Sequence, residues 1–183
     1  MVFFVRNGAF GIVIGQALRH PWKECAGVEI VPALHDIAAA ALAEAQRAAA
    51  AAASAPHSAA AAAFTPQQAA ALRALAPCAL HLGDILTPCR GTPPTDAAAR
   101  ADVVFCYCST WPAAGDLLTG LSFALAAVLR KGALVVTTDR RLASEPGAWE
   151  FALRATREGV NAETGGASVA YIWEVTQNGV GLI

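Results

Sequence analysis

The sequence has no surplus of charge of either sign. Its 183 residues include 13 Lys and Arg and 14 Asp and Glu, so the formal net charge is −1. Proteins that bind nucleic acids or anionic surfaces through charge are usually basic, and this composition therefore does not support direct nucleic-acid binding.

Long uninterrupted hydrophobic runs are also missing. The Ala-rich run 38–63 contains Glu44 and Arg47, so it does not have the pattern of a membrane span. The apolar stretch 8–18 is not followed by a small-residue cleavage site, so it does not have the pattern of a signal peptide. The sequence predicts an intracellular protein, in the nucleus or the cytoplasm, without a membrane partner.

Motifs of several common enzyme classes are absent. There is no GxxxxGK[ST] loop and no GxSxG turn, so P-loop phosphoryl transfer and serine hydrolysis have no support. No two cysteines have the CxxC spacing of a zinc site, so we expect no bound metal. We expect the five cysteines to be buried or half-buried thiols in a reducing compartment. They are Cys25, Cys78, Cys89, Cys106 and Cys108.

Short apolar runs alternate with segments of helical spacing over most of the chain. This alternation predicts an α/β fold with a mostly parallel sheet and helices on both faces. Glycines in the last connection predict a terminal antiparallel hairpin. The predicted strands are 1–5, 25–31, 78–82, 102–107, 133–138, 149–156 and 167–176. The predicted helices are 12–20, an Ala-rich helix that begins at Pro32 or Ala33 and ends near Ala53, and 117–129.

The length of the chain is sufficient for one domain with a sizeable core. We interpret residues 1–183 as a single domain. The low-complexity, Ala-rich segment 54–76 is predicted to be a surface insertion or, alternatively, an ordinary solvated helix pair.

Ligands of parallel α/β sheets bind at the carboxyl ends of the strands, near the point where the strand order reverses. Glu29 ends the second predicted strand, where a carboxylate can accept hydrogen bonds from both hydroxyls of a ribose. Asp84 follows the third predicted strand, where it can accept from an adenine amine while Ile85 packs on the ring. The alternatives are a solvated acid at the strand end for Glu29 and a turn aspartate for Asp84.

Two loops complete the predicted site. The turn 7–11 after the first strand has glycines that allow a ligand to approach the backbone, although Gly8 and Gly11 do not form a full GxGxxG motif. The loop 106–111 leaves the fourth strand, and its Trp111 can form the wall of a substrate channel or, alternatively, belong to the core.

Several segments together resemble the Dot1-type protein-lysine methyltransferases. They cover the second strand with the start of its helix, the third strand with its turn, the fourth strand with its loop, the fifth strand and the terminal strand. In order they are GVEIVPALH (27–35), HLGDIL (81–86), ADVVFCYCSTW (101–111), the run from LRKGA to Thr138 (129–138), and 166–175.

The resemblance implies a class I, Rossmann-like methyltransferase fold, S-adenosylmethionine as the cofactor, and methyl transfer to a lysine of a protein substrate, with a histone as one candidate. The cofactor-binding residues that it implies are Gly8, Ala9, Phe10, Gly11, Glu29, Ile30, Asp84, Ile85 and Cys106. The catalytic residues that it implies are Ser109, Thr110 and Trp111.

The first motif departs from the family pattern. Val5 stands where the family has an acid, and Asn7 stands where it has the first glycine. One alternative is therefore a truncated or degenerate protein with the fold but without catalysis. A second alternative is a nicotinamide-dependent oxidoreductase, which the glycine spacing favours less, and neither Tyr107 nor Tyr171 has a lysine four residues further on.

Overall fold

The computed structural model describes residues 1–5, 22–54, 65, 67, 70, 72, 75–108, 111–161, 164–179 and 181. Within them the chain forms a seven-stranded sheet and three helices. The strands are β1 (Val2–Val5), β2 (Cys25–Glu29), β3 (Cys78–Leu82), β4 (Val103–Cys106), β5 (Leu134–Thr138), β6 (Glu150–Val160) and β7 (Ala167–Gln177). The helices are α1 (Pro32–Ser54), α2 (Pro93–Ala99) and α3 (Thr119–Val128).

The strand order of the sheet is β3-β2-β1-β4-β5-β7-β6. Strands β1 to β5 are parallel, and β7 is antiparallel to both of its neighbours. The predicted α/β fold with a terminal antiparallel hairpin is therefore confirmed. The parallel strands consist largely of apolar residues because both faces of such a sheet are covered.

Along the chain, β2 and β3 are added on one side of β1, whereas β4 and β5 are added on its other side. This change of direction decides on which face of the sheet each helix lies. Crossovers between parallel strands are right-handed, so α1, which precedes β3, lies on the opposite face from α2 and α3. The main core forms on the face of α2 and α3, where Phe3 and Val104 pack with Ala98 and Leu125. A smaller cluster around Cys25 forms on the other face.

Two of the helices begin at prolines. A proline is tolerated in the first turn because the N–H that it lacks would have no partner there. For α1 this agrees with the predicted start. Helix α2 begins at Pro93, in a segment for which we predicted neither a helix nor a strand, because the residues Pro93-Pro94-Thr95 have no helical periodicity of apolar side chains.

The β6–β7 hairpin is longer than predicted. Strand β6 extends to Val160, although Arg157 and Glu158 interrupt the expected pattern. An edge strand can carry such charges because one side of it faces solvent. No helix in the described part of the chain has the length and apolar character that crossing a bilayer requires.

Candidate active site

The carboxyl ends of β1, β2 and β4 meet at one edge of the sheet. In the strand register, Val5 lies beside Val28 on one side and beside Cys106 on the other. The backbone N–H of Tyr107 continues this pairing by donating to the Val5 carbonyl at 3.3 Å. The strand order reverses between β1 and β4, so this edge is where ligands of parallel α/β sheets bind.

Glu29 is the buried acid of this edge, with only 2% of its surface exposed. Its carboxylate oxygen Oε1 accepts the backbone N–H of Val31 at 2.8 Å. This bond turns the chain out of the sheet, which is why β2 ends two residues before the predicted limit. A carboxylate has about four acceptor positions, so it can accept hydrogen bonds from several donors at once.

Asp84 lies in the turn after β3. Its carboxylate accepts the backbone N–H of Leu86 at 2.9 Å and the hydroxyl of Thr87 at 3.3 Å. This is the turn role that the sequence left open as the alternative. The preceding Gly83 lies so close to α2 that an added Cβ would be 3.0 Å from the Pro94 ring.

Two apolar residues that we predicted at the cofactor site have opposite environments. Ile30, directly after Glu29, has 49% of its surface exposed. Ile85 has 4% exposed and belongs to the main core. Of these two residues, Ile30 is therefore the one whose apolar side chain is exposed at this edge.

Two cysteines lie where the chain leaves β4. Cys106 and Cys108 are fully buried, and the Cys108 thiol donates to the Cys106 carbonyl at 3.2 Å. The hydrogen bond with Cys108, together with burial, raises the pKa of the Cys106 thiol. Both side chains point into the core, so Cys106 can reach a ligand only through its backbone.

Trp111 lines a cavity of about 260 Å³. The cavity lies between Leu86 after β3, residues 111–114 after β4, and residues 119–121 at the start of α3. Trp111 also packs against the main core, as in the alternative that the sequence left open, and its role as the wall of a substrate channel stays a prediction. The structure thus brings the predicted adenine loop and the predicted substrate loop to the same cavity.

Six of the predicted site residues lie outside the described residues. They are Gly8, Ala9, Phe10, Gly11, Ser109 and Thr110. Their assigned roles stay predictions.

One contact at this edge was not predicted from any sequence pattern. The side-chain amide of Asn161, which follows β6, donates to the Tyr107 hydroxyl at 2.6 Å. Tyr107 was part of the predicted loop but had no assigned role. Asn161 is 54 residues away from it, so no local pattern could have connected the two.

Metal ligands do not cluster in the described part of the chain, where no three His, Cys, Asp or Glu side chains are placed to hold an ion. Among the residues that the structure describes, this edge presents a buried carboxylate, an exposed apolar side chain, a tyrosine and a cavity beside Trp111.

No protein-family model and no curated protein matches the chain. Solved structures do match its fold. An RNA methyltransferase from Salinibacter ruber in complex with S-adenosyl-L-homocysteine has 22% identity and a TM-score of 0.52, over 97% of this chain and 81% of that one. TrmN from Thermus thermophilus has 16% identity and a TM-score of 0.53, over 95% of this chain but only 43% of TrmN.

A third match is a structure that concerns the conversion of a disulfide bond into a thioacetal group during echinomycin biosynthesis. It has 13% identity and a TM-score of 0.54, over 97% of this chain and 77% of that one. The chain has the fold of the class I, S-adenosylmethionine-dependent methyltransferases.

Proposed function

We propose that this protein is an S-adenosylmethionine-dependent methyltransferase. The observation that carries the proposal is the position of Glu29, a buried carboxylate at the end of β2 in a sheet with the methyltransferase strand order. In this fold that position lies beside the crevice where a nucleotide-like ligand binds.

The residues at the edge fit the parts of this cofactor. Glu29 offers acceptor oxygens for the ribose hydroxyls, and the exposed Ile30 offers an apolar surface beside them. The cavity of about 260 Å³ is smaller than the roughly 300–1,000 Å³ of a pocket for a whole ligand. It therefore suits one part of the cofactor, such as the adenine ring. When bound, S-adenosylmethionine supplies a methyl group activated by a positively charged sulfur.

For the acceptor we propose a lysine amine of a protein. A lysine must lose its proton before its nitrogen can act as a nucleophile, and removal from water favours the uncharged form. Trp111 offers an apolar surface next to the exit of β4, and contact with such a surface would favour the uncharged amine. The role of the chain is then to align the two reactants and to keep the amine uncharged.

An RNA acceptor is the competing outcome, because the matching Salinibacter ruber protein is named as an RNA methyltransferase. The net charge of −1 favours the protein acceptor, since binding of an RNA backbone depends on an excess of basic residues. Both acceptors belong in the same assay.

The first test is calorimetric titration with S-adenosylhomocysteine. Glu29→Gln keeps the size of the side chain but removes its charge, so we expect a loss of about 1.5–3 kcal/mol, or roughly 10- to 150-fold in Kd. Glu24→Gln, on the surface before β2, is the matched control and should leave Kd unchanged. Equal affinity of the Glu29 variant and the wild type would contradict the proposed cofactor position.

The second test is transfer of radiolabelled methyl groups to histones, to other proteins and to total RNA. Label on protein that is stable to mild base and released as methyl-lysine supports the proposal. Label on RNA alone would show that RNA is the acceptor instead of protein, while the proposed methyl-transfer reaction would stand. A folded protein that binds no S-adenosylhomocysteine and labels no acceptor would overturn the proposal and favour the non-catalytic alternative.

A further inference from the structure

The contact between Asn161 and Tyr107 joins two distant parts of the sheet. In the strand order, β5 and β7 lie between β4, which Tyr107 follows, and β6, which Asn161 follows. Three strand spacings correspond to about 14 Å. Despite this separation of the strands, the 2.6 Å hydrogen bond between the two side chains links the end of β6 to the exit of β4 across β5 and β7.

The lengths of the strands explain how the hairpin reaches so far. Strand β5 ends at Thr138, which pairs with Ala170 of β7. The hairpin continues beyond that point, and Val160 pairs with Ala167 at its end. A β-bulge between Leu153 and Ala155 increases the bend of β6. The overhanging end of the hairpin thus lies over the same edge as the candidate active site.

Asn161 is held in one orientation. Its backbone N–H donates to the Gly166 carbonyl at 2.8 Å, and its own carbonyl accepts the N–H of Gly165 at 2.8 Å. Its side-chain oxygen accepts the N–H of Thr164 at 3.3 Å. Because the oxygen is engaged within the turn, the amide nitrogen faces Tyr107 and donates to it.

Tyr107 lies where its orientation matters. It directly follows β4, and its backbone is hydrogen-bonded to Val5 at the end of β1, next to the crevice. Its ring is half-buried, and the bond from Asn161 restrains its hydroxyl at the mouth of the site.

We propose that the end of the β6–β7 hairpin forms one wall of the methyl-acceptor site, and that Asn161 is a positioning residue that acts through Tyr107. This inference rests on the proposed function, since it assumes that methyl transfer occurs at this edge. It predicts that the hairpin determines how the acceptor is held and that it does not contribute to cofactor affinity.

A double-mutant cycle tests the inference. Asn161→Ala and Tyr107→Phe each remove one partner of the hydrogen bond, and the double variant removes both. We expect each single variant to lower kcat/KM for the acceptor roughly three- to tenfold, as for the loss of one hydrogen bond. The Kd for S-adenosylhomocysteine should stay within about twofold. In the Tyr107→Phe background, Asn161→Ala should change kcat/KM by less than about twofold.

Arg154→Ala is the matched control on the same hairpin. It removes the ion pair between Arg154 and Glu174, whose Nε and Oε2 atoms are 2.8 Å apart, away from the edge of the site. It should leave kcat/KM unchanged. Equal effects of Asn161→Ala with and without the Tyr107 hydroxyl would overturn the inference, and so would a parallel loss of cofactor affinity. Wild-type protein that transfers no methyl group would instead refute the proposed function, and this inference with it.

Discussion

The backbone N–H of Cys108 donates a hydrogen bond to the Thr138 hydroxyl at 2.9 Å. Cys108 lies just beyond β4, and Thr138 is the last residue of β5. Both are buried, so the bond continues the pairing of the two strands through a side chain. It fixes the first residues of the loop that leads to Trp111.

Replacement of Thr138 by Val should destabilise the protein. Valine keeps the shape and the strand preference but leaves the buried Cys108 N–H without its acceptor, which costs about 1–3 kcal/mol. The free energy of unfolding in urea measures this loss. Thr156→Val on the exposed strand β6 is the control and should change stability by less than about 0.5 kcal/mol. A Thr138→Val variant as stable as the control would mean that the N–H finds another acceptor.

Two Gly→Ala substitutions should have opposite effects on stability. At Gly83 a Cβ would lie 3.0 Å from Pro94 Cγ, and moving the rigid Pro94 ring means moving the start of α2. Gly83→Ala should therefore cost about 1–3 kcal/mol. At Gly120, in the first turn of α3, a Cβ meets nothing within 4 Å. Gly120→Ala should stabilise by about 0.4–1 kcal/mol by restricting the unfolded chain.

Thermal or urea unfolding of the two variants, without ligand, checks this prediction. The comparison has an internal control, because both changes add the same methyl group. Two variants of equal stability would show that contact with Pro94 does not constrain the end of β3.

Stability should fall as the solution becomes acidic, partly because of His81. Burial is the main cause that lowers the pKa of His81 from its usual 6.5, and the charge of Arg100 acts in the same direction. The unfolded chain therefore takes up the proton more readily than the folded chain. The contribution of His81 is complete above about pH 6.5 and is lost as the pH falls from there through the lowered folded pKa.

Unfolding free energies between about pH 8 and pH 5 test this assignment. His81→Gln should lose less stability than the wild type over this interval. His35→Gln is the comparison and should keep most of the wild-type slope, because burial contributes more to the shift than the charge of His35. The same slope in His81→Gln and the wild type would refute the assignment.

The cysteines should differ in reactivity. The thiolate is the reactive form, and Cys106 is buried with a raised pKa. Cys89 is exposed, so the prediction that all five cysteines are at least half-buried is wrong for this one. Iodoacetamide near neutral pH should modify Cys89 first and leave Cys106 and Cys108 unmodified until the protein is denatured. Peptide mass spectrometry gives the extent of modification at each cysteine. Modification of native Cys106 at the rate of Cys89 would contradict its placement in the core.

The elements that could be predicted from the sequence are those with a strong local pattern. The apolar runs predicted β3 and β5 within one residue, and the Ala-rich segment after Pro32 predicted α1. Helix α2 was not predicted, because its short Pro-rich sequence is stabilised by packing of Ala97 and Ala98 in the core. The end of β6 was not predicted, because pairing with β7 maintains a strand whose own sequence is largely polar.

In the candidate site, too, features with a local sequence pattern could be predicted and features that depend on tertiary packing could not. The position of Glu29 was predictable, because an acid directly after a buried strand is visible in the sequence. The division between exposed Ile30 and buried Ile85 was not predictable, because both are apolar residues after a strand. Their environments depend on which helix packs over each strand end.

The sequence by itself determined the α/β class, the order of the strands along the chain and the acid at the end of β2. These properties reside in the hydrophobic periodicity and turn residues of short segments, which act locally. Only the tertiary structure decided the strand order in the sheet, the cavity beside Trp111 and the hydrogen bond between Asn161 and Tyr107. These depend on contacts between residues far apart in the chain, which form when strands pair and helices pack.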